Sequence, residues 1–190
     1  VVITHHEASN TLLSINRRFG VDETDKVLGI SSMCFDLSVY DIFGTLAAGA
    51  ELVMVPDLHD ILHMAQLVQE HRITLWNSVP AIMQLLMDVT GGKNLTSLRT
   101  ILLSGDWISP TLAREIRKTL PNAALYSLGG ATEGAIWSIY YPVHTVGEHS
   151  RIPYGYPLDN QQCYVLDAND RICPWNVIGE IVIGGDGVAE

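Results

Sequence analysis

Apolar residues recur along this chain at two spacings, three-to-four and two, and the switches between them predict its elements. Ala8, Leu12, Ile15 and Phe19 trace one face of a helix over about 6–19, which Gly20 ends. A polar loop at 22–26 leads to a short strand at 27–31. The next helix begins near Asp36 or Ser38. Ser38 and Asp41, three residues apart, resemble a capping box, with Val39, Ile42, Phe43 and Leu46 as the expected buried stripe. A strand at 51–55 is closed by Pro56, and Leu58, Ile61, Leu62, Ala65 and Val68 mark another helical face. A strand at 73–76 follows, then a helix opened by Ser78 and Pro80 and running through Met87. Residues 90–97 are expected to be an exposed loop. A strand at 98–103 runs into Gly105, and Ser109-Pro110 caps a helix whose Leu112, Ile116 and Leu120 lie four apart. Arg117 and Lys118 sit by its C-terminal dipole, and Pro121 stops it. The apolar run at 123–125 starts a further strand.

Strand alternating with helix from about 27 to 128 implies an α/β fold, a mainly parallel sheet flanked by helices. After Tyr140 the rhythm changes. Pro142, Pro153, Gly155 and Pro157 punctuate the chain, and 162–167 and 180–183, separated by a turn at 168–170, read as antiparallel strands. The expected division is an α/β core over 1–142 and the beginning of a smaller antiparallel β subdomain over 143–190. Residues 1–4 read as part of a strand, and the chain reads as a piece of something larger.

Composition narrows the function. The 190 residues are 47% hydrophobic and 17% charged, without an apolar run long enough for a membrane span. Eleven basic against 21 acidic residues, net −10, argue against a nucleic-acid or anionic-membrane surface. Cys34, Cys163 and Cys173 have no metal spacing and suit reduced thiols in a cytoplasmic protein.

In open α/β sheets ligands bind beyond the carboxyl ends of the strands. Three successive strands end at Asn77, Ser104 and Leu128, so these should share a rim. Asp36 and Tyr40, four apart at a helix start, share a face. If that helix borders the rim, one carboxylate, a phenol, an amide and a hydroxyl surround a small cavity walled by Leu37, Leu102, Leu128, Ile136 and Trp137. A single acid in a neutral pocket suits a ligand with one ammonium group. Beside it, Gly129-Gly130 offers open backbone, and Thr132 and Glu133 offer a hydroxyl for phosphate oxygens and a carboxylate for Mg²⁺. Plainer readings stand beside these: Asp36 as a helix cap, Asn77 and Ser104 bonded to strand-end backbone, Trp137 as core, and 129–133 as a solvated turn. His5 and His6 lack a third metal partner, and His59, His63 and His71 fall on the wet side of a helix.

With these residues in place, the chain resembles the amino-acid adenylation domain of nonribosomal peptide synthetases, within the adenylate-forming superfamily. Phe-Asp-Leu-Ser-Val-Tyr-Asp-Ile-Phe at 35–43 matches the motif whose Asp holds the substrate's α-amino group. Gly-Gly-Ala-Thr-Glu at 129–133 matches Tyr-Gly-Pro-Thr-Glu, and 179–188 matches the start of the next motif, Gly-Glu-Leu-Cys-Ile-Gly-Gly. The resemblance implies that Asp36 binds the ammonium group, Thr132 the α-phosphate region of ATP and Glu133 the Mg²⁺. It implies that Gly105 and Asp106 pack against adenine, with Gly129, Gly130 and Ala131 completing the nucleotide site. It assigns a specificity pocket of Asp36, Leu37, Tyr40, Asn77, Leu102, Ser104, Leu128, Ile136 and Trp137, similar to the set associated with L-cysteine in siderophore-type synthetases. Gly129 stands where the family has Tyr and Ser127 where it has Asn, which implies the loss of an aromatic neighbour and an amide contact at adenine.

The implied partners are an amino acid, a carrier protein bearing phosphopantetheine, and condensation or cyclisation domains. The family's Pro-Lys-Gly phosphate loop is expected before Val1. Its ribose-binding Asp and the small domain with the catalytic Lys are expected after Glu190, so this stretch alone is expected to have no turnover. Competing readings are a serine-activating domain, an aryl-acid or acyl-CoA ligase, and a non-catalytic binding module. A dinucleotide-binding oxidoreductase lacks its Gly-x-Gly-x-x-Gly here.

Overall fold

The computed structural model describes residues 1–145, 147 and 151–189. Helix α1 (His5–Phe19) is followed by β1 (Lys26–Gly29) and then by a helical stretch built from α2 (Leu37–Val39), a π-helical turn (Tyr40–Gly44) and α3 (Thr45–Ala47). Next come β2 (Glu51–Met54), α4 (Ile61–His71), β3 (Leu75–Ser78), α5 (Pro80–Thr90), β4 (Thr100–Leu103), α6 (Pro110–Thr119) and β5 (Ala124–Gly129). A 3₁₀ turn (Thr132–Gly134) precedes β6 (Ile139–Pro142), β7 (Tyr156–Pro157), β8 (Gln161–Leu166) and β9 (Glu180–Gly185).

Among the described residues, seven strands form one sheet in the order β2-β1-β3-β4-β5-β6-β7. The pairs from β2 through β5 are parallel, and β6 and β7 add antiparallel. Strands β8 and β9 pair separately, with Cys163 opposite Ile183. The α/β class with a mainly parallel sheet is therefore as the hydrophobic rhythm indicates.

The pleat sends alternate side chains to opposite faces. Leu28, Trp76, Ile101, Leu103 and Leu125 meet α4, α5 and α6 through Met64, Val68, Met83, Leu86, Leu112 and Ile116. Val27, Leu75, Leu102 and Leu128 meet α1 and the 37–47 stretch through Leu12, Ile15, Phe19, Leu37 and Tyr40. Local chemistry sets the ends. Gly20 closes α1 at φ 58°, and Ser109 caps α6 by accepting from the Leu112 N–H at 3.1 Å, with Pro110 in the first turn.

Several expectations are corrected. Residues 1–3 form no strand; Thr4 caps α1, and its N–H donates to Glu7 Oε2. Ser38 and Asp41 are not a capping box: the Ser38 hydroxyl donates to Phe35 O, and Asp41 accepts from elsewhere in the fold. The stripe of the 37–47 stretch is also turned. Phe43 and Leu46 are 58% and 60% exposed, while Leu37, Tyr40, Asp41, Gly44 and Thr45 face inward. Gly44 is the reason: a Cβ there would lie 2.5 Å from Tyr40 Cδ2, so only glycine lets the Tyr40 ring lie inside. On α4, Leu62 is exposed and Met64 and Leu67 are buried in its place. Ser78 ends β3 rather than opening α5, and residues 90–97 are not wholly exposed, since Leu95 is a core side chain.

Candidate functional site

The carboxyl ends of β4 and β5 and the start of α2 open onto one cleft of about 430 Å³. Its wall runs from Asp36 and Leu37, through Ser104, Gly105 and Asp106, to Leu128, Gly129, Gly130, Ala131 and Thr132. Ile136 and Trp137 complete it, together with Phe35, Trp107, Ile108 and the segment Ile152, Pro153, Tyr154. Most of the residues nominated from sequence therefore converge. Tyr40, Asn77 and Leu102 do not line the cleft. They lie behind it, fully buried on the same sheet face. Glu133 is exposed on the 3₁₀ turn beside the cleft.

Asp36 stands at the N-terminus of α2 without capping it: its side chain accepts no helix N–H, and its backbone is already helical. Instead Asp36 Oδ2 accepts from Thr132 Oγ1 at 2.8 Å, joining residues 96 positions apart. The carboxylate retains lone pairs for a donor in the cleft. Asp106, nominated for the adenine side, is a second acid in the lining of the whole cleft; its Oδ1 accepts from the Trp107 N–H at 2.7 Å.

Two residues of the cleft lining carry orphaned polar atoms. Ser104 Oγ and Trp137 Nε1 are buried, and neither has a hydrogen-bond partner among the described residues. A buried polar atom without a partner costs free energy unless a ligand or water meets it. Trp137 is held in place by the Tyr40 ring, 5.1 Å between centroids, and by Gln161 Nε2, which donates to its backbone oxygen at 3.0 Å. Tyr40 donates its hydroxyl to Asn16 Oδ1 at 3.0 Å, away from the cleft, and burial pushes its phenol pKa upward.

Ala135 and Ile136 both adopt left-handed backbone, at φ 54° and 74°. For a β-branched residue this is strained, by about 1–3 kcal/mol, and it sets Ile136 into the cleft wall. No sequence signal marks it. Gly129 and Gly130 also meet a packing requirement. A Cβ on Gly130 would come within 2.7 Å of Ser138 N and 2.9 Å of Trp137 Cα. At Gly129 it would come within 2.9 Å of Ile139 Cδ1 and 3.1 Å of Tyr154 Cε2.

Sequence reasoning missed Asp41. It is 2% exposed, and its two oxygens accept from Asn77 Nδ2 at 2.7 Å and the Ser31 N–H at 3.1 Å. Burial pushes its pKa up to about 6, against the pull of those hydrogen bonds. Asn77 is thereby oriented, its Nδ2 spent on Asp41 and its Oδ1 left without a partner among the described residues. The only sequence signal for the pair is the buried side of a helix whose orientation the sequence leaves open.

Comparison with known proteins bears on this cleft. The model of a family described as AMP-binding enzyme matches residues 1–190. Bacitracin synthase 1 of Bacillus licheniformis is 54% identical over all of this chain, which spans 4% of its length. Pyochelin synthetase PchF of Pseudomonas aeruginosa is 50% identical over all of this chain, which spans 11% of its length. Among solved structures, the nonribosomal peptide synthetase FmoA3 matches the whole chain at 36% identity. The TM-score is 0.95 for its AMPPNP-bound form and 0.94 for its α-methyl-L-serine-AMP-bound form, this chain covering 21% and 22% of them.

Proposed function

Since the chain belongs to the AMP-binding enzyme family, we propose that the cleft is the amino-acid and nucleotide site of an aminoacyl-adenylate-forming domain in a nonribosomal peptide synthetase. The observation that carries this reading is the Asp36 carboxylate. It does no capping work and lines a cleft with Leu37, Leu128, Ile136 and Trp137. A carboxylate with lone pairs to spare against apolar walls suits an α-ammonium group, and substrates without an amino group have no use for it. That favours an amino acid over an aryl or fatty acid.

The chemistry is attack of the amino-acid carboxylate on the α-phosphorus of ATP. A carboxyl O–P bond forms, the α–β bridging P–O bond breaks, and pyrophosphate leaves. A cleft of about 430 Å³ is of a size for such ligands. Asp36 holds the ammonium end, and the Thr132 hydroxyl, now spent on Asp36, is free to donate to a phosphate oxygen once the ammonium takes its place. Gly105 and Asp106 would flank adenine. Among the described residues no three acids, histidines or cysteines converge as a metal site. Mg²⁺ at Glu133 would therefore draw its other ligands from phosphate and water, and it would neutralise charge on the phosphates.

The favoured substrate is L-cysteine, with L-serine the alternative. Ser104 Oγ and Trp137 Nε1, both buried and without a partner among the described residues, suit a small polar side chain, and Asn77 and Leu102 behind them limit its size. The acyl group would pass to a phosphopantetheine thiol on a carrier protein, and condensation or cyclisation domains would act on it next. Residues 1–142 would form the α/β core of the large adenylation subdomain and 143–190 the beginning of its β-rich part. The parent would work in the cytoplasm, where ATP is at hand; no described helix is long and apolar enough to cross a membrane. The test is amino-acid-dependent ATP–pyrophosphate exchange by the intact parent protein against all common amino acids. Exchange led by cysteine supports the reading, exchange led by an amino acid other than cysteine or serine removes the substrate assignment, and none removes the activity.

A further inference from the structure

Gly129 lies in the lining of the cleft but has no side chain to give it, and the space a side chain would need is taken. Tyr154, 25 positions later in the chain, brings Cε2 to 3.1 Å from the position of a Gly129 Cβ. Its ring is 42% exposed and lines the same cleft as Gly105, Asp106 and Ser127. A large aromatic ring left half open in a ligand cleft, packed on a bare glycine, presents a flat apolar surface at little entropic cost. We infer that the Tyr154 ring is the stacking surface for the nucleobase, supplied from the segment before β7 in place of a side chain at 129. This rests on the reading of the cleft as an ATP site.

Phe35 and Trp107 also border the cleft, but Trp107 is 69% exposed and turned largely to solvent, and Phe35 packs beside Gly105, not Gly129. Tyr154 is the aromatic side chain that occupies the space beside Gly129 where a Cβ would stand. The arrangement also gives a reason for glycine at 129: a larger residue there would collide with both Ile139 and Tyr154.

The test uses the intact parent protein and ATP–pyrophosphate exchange, with the amino acid that supports exchange held saturating. Tyr154→Phe keeps the ring and should keep the KM for ATP. Tyr154→Leu fills the apolar space without a π-face and should raise that KM about tenfold, a typical loss for base–aromatic stacking, with the amino-acid KM moved much less. Adding Gly129→Tyr to Tyr154→Ala, where the space is vacated, should recover part of the ATP affinity, whereas Gly129→Tyr alone should not improve it. The inference is overturned if Tyr154→Leu leaves the ATP KM within about twofold of wild type. It is equally overturned if both KM values rise together with a drop in melting temperature, or if Trp107→Ala, and not Tyr154→Leu, weakens ATP. A parent that binds no ATP would overturn the site reading itself, a result separate from a normal ATP KM in Tyr154→Leu.

Discussion

Replacing Asp36 with Ala removes the carboxylate proposed to hold the ammonium group and leaves Thr132 Oγ1 without its 2.8 Å acceptor. Two unit charges about 3 Å apart attract by about 5 kcal/mol at an effective dielectric near 20. Asp36 is only partly buried, so water screens the pair and about half of that should survive, roughly 2–3 kcal/mol. That corresponds to a fall of about 30- to 150-fold in kcat/KM for the amino acid. Asp36→Asn, which keeps an acceptor for Thr132 but not the charge, should lose nearly as much. The assay is ATP–pyrophosphate exchange by the intact parent, with cysteine and its des-amino analogue 3-mercaptopropionate compared side by side. Wild type should discriminate strongly between the two and Asp36→Ala should not. A change below about threefold, or an equal loss for both substrates, would refute the ammonium role.

Other parts of the molecule give further tests. Gly130→Ala would drive a methyl group to within 2.9 Å of the Trp137 backbone; overpacking against backbone costs about 1–3 kcal/mol, and melting temperature and exchange activity should fall together. Ser109→Ala should lower stability by about 1 kcal/mol through loss of the cap on Leu112 N–H, read as a shift in thermal melting with exchange kinetics retained. Asp25, 2% exposed, is held by Arg99, whose Nε donates to its Oδ1 at 2.7 Å, and by the Thr74 hydroxyl at 2.6 Å. Burial alone would raise its pKa, but the hydrogen bonds from Arg99, Thr74 and Asp22 outweigh it and the pKa is lowered. Stability from this group is thus complete above its unfolded pKa, near 4, and is lost as pH falls through the lower folded value. Arg99→Met leaves the carboxylate buried without its charge partner, at a cost of about 2–3 kcal/mol after allowing for Arg99's partial exposure. The difference in melting temperature from wild type should be large at pH 7 and narrow below pH 4; a constant difference would refute the linkage.

Much of the architecture is written in local patterns. The switch between spacings of two and three-to-four residues over 27–128 specifies strand–helix–strand units, because each element must bury one face against its neighbours. Gly20 and Ser109-Pro110 specify helix ends through groups adjacent in the chain. Ser104 and Leu128 could be assigned to one rim because parallel strands place their carboxyl ends together, whereas Asn77, assigned there with them, lies behind the cleft.

Contacts between distant segments decided the rest. Over the 36–47 stretch sequence spacing favours an apolar stripe through Phe43 and Leu46, which the fold leaves exposed. The other side is chosen because Gly44 makes room for the Tyr40 ring, and because Asp41, once inside, finds Asn77 and Ser31 as partners. A polar residue is admitted to the interior by partners 36 and 10 positions away, which no local period records. Likewise Tyr154 reaches Gly129, and Thr132 reaches Asp36, only when β5, β6 and α2 are brought together. The sequence by itself determined the strand–helix alternation over 27–128 and the identity of many of the groups that meet at the cleft. The tertiary structure decided which sides of those groups face each other, since burial and hydrogen-bond satisfaction are settled between segments and not along them.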